Sequence, residues 1–366
     1  MCMPRKKFQF VLKPSLACNL ACKYCYATQM RHDKKYAMSL DEVLKAIDWA
    51  VEFSQFYGIK EISFLWQGGE PLMVGPRFLD VACSHCSDIC KKAEIKTYNI
   101  LQSNLLLMDE SFLPVVKSHF DYQIGFSYDY LSSTRVWKNG ENAERAIWEK
   151  ALCCKEQGLS IGAICQITKT NINYIFDLYK KFNDAGIHFK VSQIFPSQNI
   201  VSEDAVGIPA KESAVAICKL FDIWFADKES NIEITNLKEM AAALLRGHSN
   251  ECSRQKNCAE LLLSILPGGR IMPCARFDNN TDVIGNFYQD SPKTVFENRL
   301  ALMKDSFDRL TECDVCRYKN LCFGGCYYNR LTGWHESECI SNKIIFEHIE
   351  RRLAEKGLKM GCMSSR

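Results

Sequence analysis

Phe8-Gln-Phe-Val-Leu12, followed closely by Cys18-Asn-Leu-Ala-Cys22-Lys-Tyr-Cys25, decides how the rest of the chain is read. The apolar run reads as a strand, and the cysteines after it are spaced C-x3-C-x2-C on one loop. Three thiolates so placed can hold three irons of a [4Fe–4S] cluster and leave the fourth iron open to a small molecule. A cluster that only carries electrons is usually closed by four cysteines, so three suggest chemistry at the open iron. Zinc is the alternative. It usually takes four ligands in two pairs, and the loop offers no fourth cysteine or histidine before His32.

Beyond the loop, Trp66-Gln67-Gly68-Gly69-Glu70-Pro71 ends the next strand-like run. A glycine pair there lets backbone approach a ligand closely, with carbonyls free to accept hydrogen bonds from an ammonium group. A plain turn reads the same way. Gln102-Ser103-Asn104 and Ser127, in Gly125-Phe-Ser-Tyr-Asp129, close two further strands, where simple strand-end caps also account for Asn104 and Ser127.

Strand candidates begin near Phe8, Glu61, Lys96, Gln123, Ser160 and His188, with amphipathic helical patterns between them. That alternation is the signature of βα units on a parallel sheet. Ser39 and Glu42 form a capping-box pattern, and Gly58, Gly158 and Gly186 stand where helices should stop. Past about residue 235 the alternation gives way to a loop-rich region with Cys252, Cys258, Cys274, Cys313, Cys316, Cys322, Cys326 and Cys339, then a polar helix around residues 342–356. Eight cysteines at these spacings suit two four-cysteine clusters or two zinc sites, since C-x2-C also opens zinc ribbons. Cys83, Cys86 and Cys90 share one face of a helix, as core packing or as a metal face. Cys2, Cys153, Cys154, Cys165, Cys218 and Cys362 read as packing or surface thiols, and His85 and His119 as structural.

A chain of 366 residues suggests two domains. Hydrophobic content of 47% and charged content of 24% are ordinary for a soluble globular protein. A net charge of +3 gives no general attraction to nucleic acid or to an anionic membrane. Neither a signal peptide nor a membrane-spanning apolar run is present. Secreted disulfide scaffolds are short, so 20 cysteines in a chain of this length suggest reduced thiols and a cytoplasmic setting.

Taken together, the motifs resemble the radical S-adenosylmethionine (SAM) superfamily with a C-terminal SPASM extension. They are nearest to the anaerobic sulfatase-maturating enzymes and their peptide-modifying relatives, and the likeness runs from Leu12-Lys13-Pro14 to Cys339. It implies an α/β fold: a partial (β/α)6 TIM-like barrel over residues 1–235, a cysteine-rich iron–sulfur domain over 236–341, and a helix and tail over 342–366. It also implies three [4Fe–4S] clusters. Cys18, Cys22 and Cys25 hold the one that binds SAM. Cys252, Cys258, Cys274 and Cys326 hold the first auxiliary cluster, and Cys313, Cys316, Cys322 and Cys339 the second. SAM contacts fall to Tyr24, Gly68, Gly69, Glu70, Pro71, Asn104 and Ser127.

The implied activity is reductive cleavage of SAM to a 5′-deoxyadenosyl radical. That radical abstracts hydrogen from a peptide or protein substrate, giving a two-electron oxidation or a crosslink. The expected partners are that substrate and an electron donor such as flavodoxin or ferredoxin, with the enzyme a monomer and neither nucleic acid nor membrane involved. The first strand leaves no room for a leader-binding domain before it, so peptide is expected to dock on the barrel and extension or through a separate partner. Sulfatase maturation is the runner-up. In the maturases an aspartate directly after the third extension cysteine serves as base, whereas here Ala275 follows Cys274 and the nearest acid is Asp278. A small-molecule radical dehydrogenase shares every motif. No residue is assigned as catalytic.

Overall fold

The computed structural model describes residues 4–27, 37–194, 207–277, 280–307 and 313–361. Asp278, Cys2, Cys362 and His32 lie outside them. The chain forms two compact units, one of residues 1–127, 136–161 and 259–304 and one of 128–135, 162–258 and 305–366.

In the first unit β1 (Lys7–Leu12), β2 (Glu61–Trp66), β3 (Lys96–Ser103) and β4 (Gln123–Ser127) pair in parallel in that order. Parallel neighbours need long crossovers. Helices α1 (Leu40–Phe56), α2 (Pro76–Lys92) and α3 (Leu113–His119) supply them, and α4 (Glu144–Glu156) follows β4. Each expected strand start is met to within one residue. Phe8, Phe10, Trp49, Phe53, Tyr57 and Phe296 form an aromatic core between β1, α1 and the later chain, with ring centroids from 4.9 to 6.2 Å apart.

The α1 cap departs from the expected box. Ser39 Oγ accepts from Glu42 N–H at 3.1 Å, but Glu42 does not return the bond. Its Oε1 accepts from the backbone N–H groups of Gly268 and Gly269, tying α1 to a distant turn. That turn belongs to a feature the sequence hid. β7 (Leu262–Ile265) pairs in parallel with β1, on the side away from β2. β8 (Arg270–Met272) and β9 (Gly285–Asn286) then continue the sheet antiparallel. The region read as loop therefore widens the sheet that carries the cysteine loop.

In the second unit residues 162–167 of β5 (Ser160–Ile167) pair in parallel with β6 (His188–Gln193), and α5 (Ile175–Ala185) crosses between them. Gly186, in the left-handed conformation at φ 59°, ends α5 as expected. Helices α6 (Ala210–Ala226) and α7 (Thr235–Arg246) follow. Asn236 of α7 grips β6, its Oδ1 accepting from Val191 N–H at 3.1 Å and its Nδ2 donating to Val191 O at 2.8 Å. Two short helices, α9 (Lys319–Cys322) and α10 (Tyr327–Leu331), precede the long α11 (His335–Glu355); α8 (Pro292–Phe307) lies earlier in the chain. The terminal helix starts at His335, well before the expected residue 342, so Cys339 stands in its first turns. No described helix is long and apolar enough to cross a membrane.

Candidate active site

The cysteine loop leaves the end of β1 and is held from three directions within the first unit. The turn after β2 fixes its entrance: Gly69 N–H donates to Ser15 O and Glu70 N–H to Ala17 O, both at 2.8 Å. The 136–137 segment fixes its middle, where Ala21 N–H donates to Val136 O at 2.8 Å. The end of β3 fixes its first cysteine: Asn104 Nδ2 donates to Asn19 Oδ1 at 2.7 Å and lies 3.7 Å from Cys18 Sγ. Leu20 N–H adds a second donor to the same sulfur at 3.4 Å.

The glycine pair is read above as clearance for a ligand, and the structure gives it a further task. A Cβ on Gly68 would overlap Ser15 O, and one on Gly69 would overlap the carbonyls of Leu16 and Ala17. Two glycines are therefore required for the β2 turn to lie against the loop. Glu70 is buried at 1% exposure and faces inward. Its Oε1 accepts from Ser103 Oγ at 2.7 Å and Leu72 N–H at 3.0 Å, and its Oε2 from Asn104 N–H at 2.8 Å. Burial pushes its carboxyl up to about 7, against the pull of those three donors. Pro71, also buried, opens the short 3-10 turn that follows. Glu70 thus anchors the residue that touches Cys18.

Tyr24 is half-buried on the loop. Ser127 sits at the end of β4, where its Oγ accepts from Gln102 Nε2 at 3.2 Å. Lys13, at 1% exposure, extends over the Tyr26 ring with Nζ 5.2 Å from the centroid. Sequence reasoning missed Lys13 and Ser103. The only available signal was their position directly at strand ends.

Every described cysteine is a free thiol. Cys22 and Cys25 lie within electrostatic reach of Cys18. Burial, followed by the neighbouring charges of Glu70 and both cysteines, pushes the Cys18 thiol up to about 12. Three thiolates gathered this way need a cation to exist together, which fits a three-cysteine iron site.

Four of the extension cysteines are brought together in the second unit. Cys313, Cys316, Cys322 and Cys339 all line one cavity of about 370 Å³. That volume is roughly ten times a water's share of the liquid, about 30 Å³, so there is room for a multi-iron group. Cys258 and Cys326 lie within electrostatic reach of Cys252 in the same unit. Cys274 follows β8 in the first unit, with Ala275 half-buried after it. Among the described residues no three Cys, His, Asp or Glu side chains converge on the point a single metal ion occupies.

Of the other described cysteines, Cys154, Cys165 and Cys218 are buried like the three of α2, and Cys153 is exposed. Cys83, Cys86 and Cys90 are fully buried on one face of α2, with Cys86 Sγ 3.7 Å from Thr97 Oγ1. His85 pairs with Asp48 at 2.6 Å and His119 with Asp80 at 2.8 Å, linking neighbouring helices.

Residues 12–192 match the radical SAM superfamily. This stretch is a radical SAM domain. Over 86% of its length the chain is 24% identical to a cysteine-type anaerobic sulfatase-maturating enzyme of Clostridium perfringens (strain 13 / Type A), covering 88% of that protein. A serine-type anaerobic sulfatase-maturating enzyme of Klebsiella aerogenes is 22% identical over 87% of this chain and 79% of its own. The fold matches that of native anSMEcpe with bound AdoMet at a TM-score of 0.79 and 24% identity, covering 95% of this chain and 99% of that one. It also matches Streptococcus suis SuiB bound to S-adenosylmethionine at a TM-score of 0.61 and 18% identity, over 90% of this chain and 74% of SuiB. The expected α/β partial barrel with a cysteine-rich C-terminal region is the fold observed, and the chain is a radical SAM enzyme.

Proposed function

We propose that this enzyme oxidatively modifies a peptide or protein, by a two-electron oxidation or a crosslink between side chains. The observation that carries the reading is the Cys18 sulfur, held by Asn104 Nδ2 and Leu20 N–H beside Cys22 and Cys25, on a loop whose shape is set by backbone pairing. In this reading Cys18, Cys22 and Cys25 hold a [4Fe–4S] cluster and leave one iron for SAM. Cys252, Cys258, Cys274 and Cys326 hold one auxiliary cluster, and Cys313, Cys316, Cys322 and Cys339 the other. When bound, SAM and its cluster supply a 5′-deoxyadenosyl radical, and loss of a hydrogen atom, an electron and a proton from the substrate amounts to a two-electron oxidation.

This chain's own residues position the reactants. Carbonyls of the Gly68–Gly69 turn would accept from the ammonium of SAM, with Glu70 and Pro71 holding that turn. Ser127 and Tyr24 would line the ligand's site, and Asn104 steadies Cys18. Residues 1–235 are the catalytic core, 236–341 the auxiliary-cluster domain and 342–366 a helix and tail. A peptide substrate is supported by relatives whose solved structures hold peptides, anSMEcpe with the Cp18Cys peptide and SuiB with its precursor SuiA. The enzyme works in the cytoplasm as a monomer, with a flavodoxin or ferredoxin as electron donor.

A second reading, formylglycine formation on a sulfatase, is favoured by the likeness to maturases over most of the chain. Ala275 argues against it, because a methyl group takes no proton from substrate. One experiment separates the two. Anaerobically reconstituted protein with SAM and a reductant is given a sulfatase Cys-x-Pro-x-Arg peptide and, separately, any short peptide encoded beside this gene. The expected result is 5′-deoxyadenosine in both reactions, no formylglycine in the first, and a loss of about 2 Da in the second, the two hydrogens of a two-electron oxidation. Efficient formylglycine formation would overturn the proposal in favour of the maturase reading.

A further inference from the structure

Two polar side chains without an assigned role connect ligands of the two proposed auxiliary clusters. Arg254 lies two residues after Cys252 and is buried. Its Nη1 pairs with Glu251 Oε2 at 2.8 Å, and its Nη2 lies 3.4 Å from Met240 Sδ and 3.3 Å from Asn342 Oδ1. The guanidinium carbon sits 5.4 Å from the Phe346 ring centroid. The group is therefore held on several sides. A guanidinium only donates hydrogen bonds, so the Asn342 side chain must turn its oxygen toward Arg254. That leaves the NH2 of Asn342 facing the other way, where Nδ2 lies 3.6 Å from Cys322 Sγ. Arg254, and not the sulfur, fixes which end of the amide the sulfur meets.

The opposite influence is also present. Glu338 is buried next to Cys339, and its Oε2 accepts from Cys326 N–H at 2.9 Å and from Asn329 Nδ2 at 2.8 Å. A carboxylate at this position opposes added negative charge on the nearby sulfurs, whereas a donor to a thiolate stabilises it. Hydrogen bonds to ligand sulfurs are among the determinants of cluster potential. Reduction adds one negative charge to a cluster, so an N–H···S bond makes that cluster easier to reduce.

We propose that Asn342, oriented by Arg254, is a positioning residue that donates a hydrogen bond to the Cys322 sulfur and raises the reduction potential of the second auxiliary cluster. The proposal rests on the ligand assignment of the preceding section. It assigns the centre held by Cys322 a specific donor, Asn342, whose removal lowers that centre's potential.

The test is an EPR-monitored redox titration of anaerobically reconstituted protein carrying Cys18→Ala, Cys22→Ala and Cys25→Ala, so that only auxiliary signals remain. Asn342→Leu removes the donor, and Asn342→Asp keeps the shape while abolishing donation. Both should lower the midpoint of one centre, cutting its reduced-to-oxidised ratio at fixed potential about tenfold, or about 59 mV for one electron, with iron content unchanged. Arg254→Met should move the same centre in the same direction. The double variant Arg254→Met with Asn342→Leu should shift it by less than the sum, since both act through one amide. Cys322→Ala identifies the centre: it should remove that signal and about four irons. Iron retained in Cys322→Ala would overturn the ligand assignment and the proposal with it. Iron lost in Cys322→Ala, but an unmoved midpoint in both Asn342 variants or equal shifts of both centres, would overturn the proposal alone.

Discussion

The two cysteine-rich regions solve the problem of holding sulfur in different ways. Cys18, Cys22 and Cys25 lie on one continuous loop shaped by backbone hydrogen bonds to the β2 turn and the 136–137 segment. Cys313 and Cys316 lie on the turn before α9, Cys322 ends α9 and Cys339 stands on the long α11, and all four line a cavity of about 370 Å³. By the proposed assignment the three cysteines of the loop hold a cluster with one iron left for a reactant, and the set of four holds a cluster closed by protein ligands. The loop is shaped from outside by backbone bonds, the second set by side chains such as Asn342 and Glu338.

Removing the triad gives the largest expected effect. Cys18→Ala, Cys22→Ala and Cys25→Ala together should take away about four of about twelve irons and abolish 5′-deoxyadenosine formation, leaving both auxiliary signals intact. Stoichiometric zinc with little iron in the wild-type protein would break the comparison at its root.

Gly69→Ala tests the scaffold without touching a sulfur. Its Cβ would overlap two loop carbonyls, so the loop must move. Expected are a stability loss of about 1–3 kcal/mol and loss of the same four irons, with the Cys313–Cys339 group still loaded. Full iron in this variant would show that the loop tolerates displacement.

Glu70→Gln is a smaller change. One oxygen of Glu70 serves two donors and the other serves one, and an amide puts an NH2 against at least one of them. The expected cost is about 1–3 kcal/mol. Burial raises the folded-state pKa of Glu70 to about 7, above its unfolded value. The folded state therefore binds this proton more tightly. Its stabilising contribution is complete below the unfolded pKa of about 4.3 and is lost as pH rises through about 7. Urea titrations from pH 5 to 8 should show that decline in the wild type and a flatter profile in the variant.

Cys86→Ala should have the smallest effect of the four. As a core residue on α2 its loss should cost about 1 kcal/mol and leave the iron count unchanged. Iron loss on this substitution would place a metal ligand where packing is assigned.

Much of this was legible in the chain because the signals were local. Alternation of apolar runs with helical patterns located β1 to β6, and glycines marked helix ends at Gly158 and Gly186. The cysteine spacings located the sulfur-bearing loops. What was missed depends on contacts between distant residues. β7 is only four residues long, too short for its apolar run to be told from a loop, and its partner β1 is some 250 residues away. Glu42 carried a correct capping-box spacing, yet its carboxylate serves Gly268 and Gly269. Asn104 read equally as a ligand contact or a cap until its amide was seen against Cys18. Arg254 and Asn342 are ordinary helical or turn residues until the fold sets one against the other.

The pairing of Gly69 with Ser15 and of Glu70 with Ala17 bears on how the enzyme matures in the cell. These bonds run from backbone to backbone and involve no sulfur. The entrance of the cysteine loop, at Ser15 and Ala17, is therefore tied to the β2 turn by polypeptide alone, whereas the fold of a zinc finger waits for its metal. Protein made without iron should on that account keep the β1–β2 pairing, which hydrogen exchange of the Gly69 and Glu70 amides would read directly.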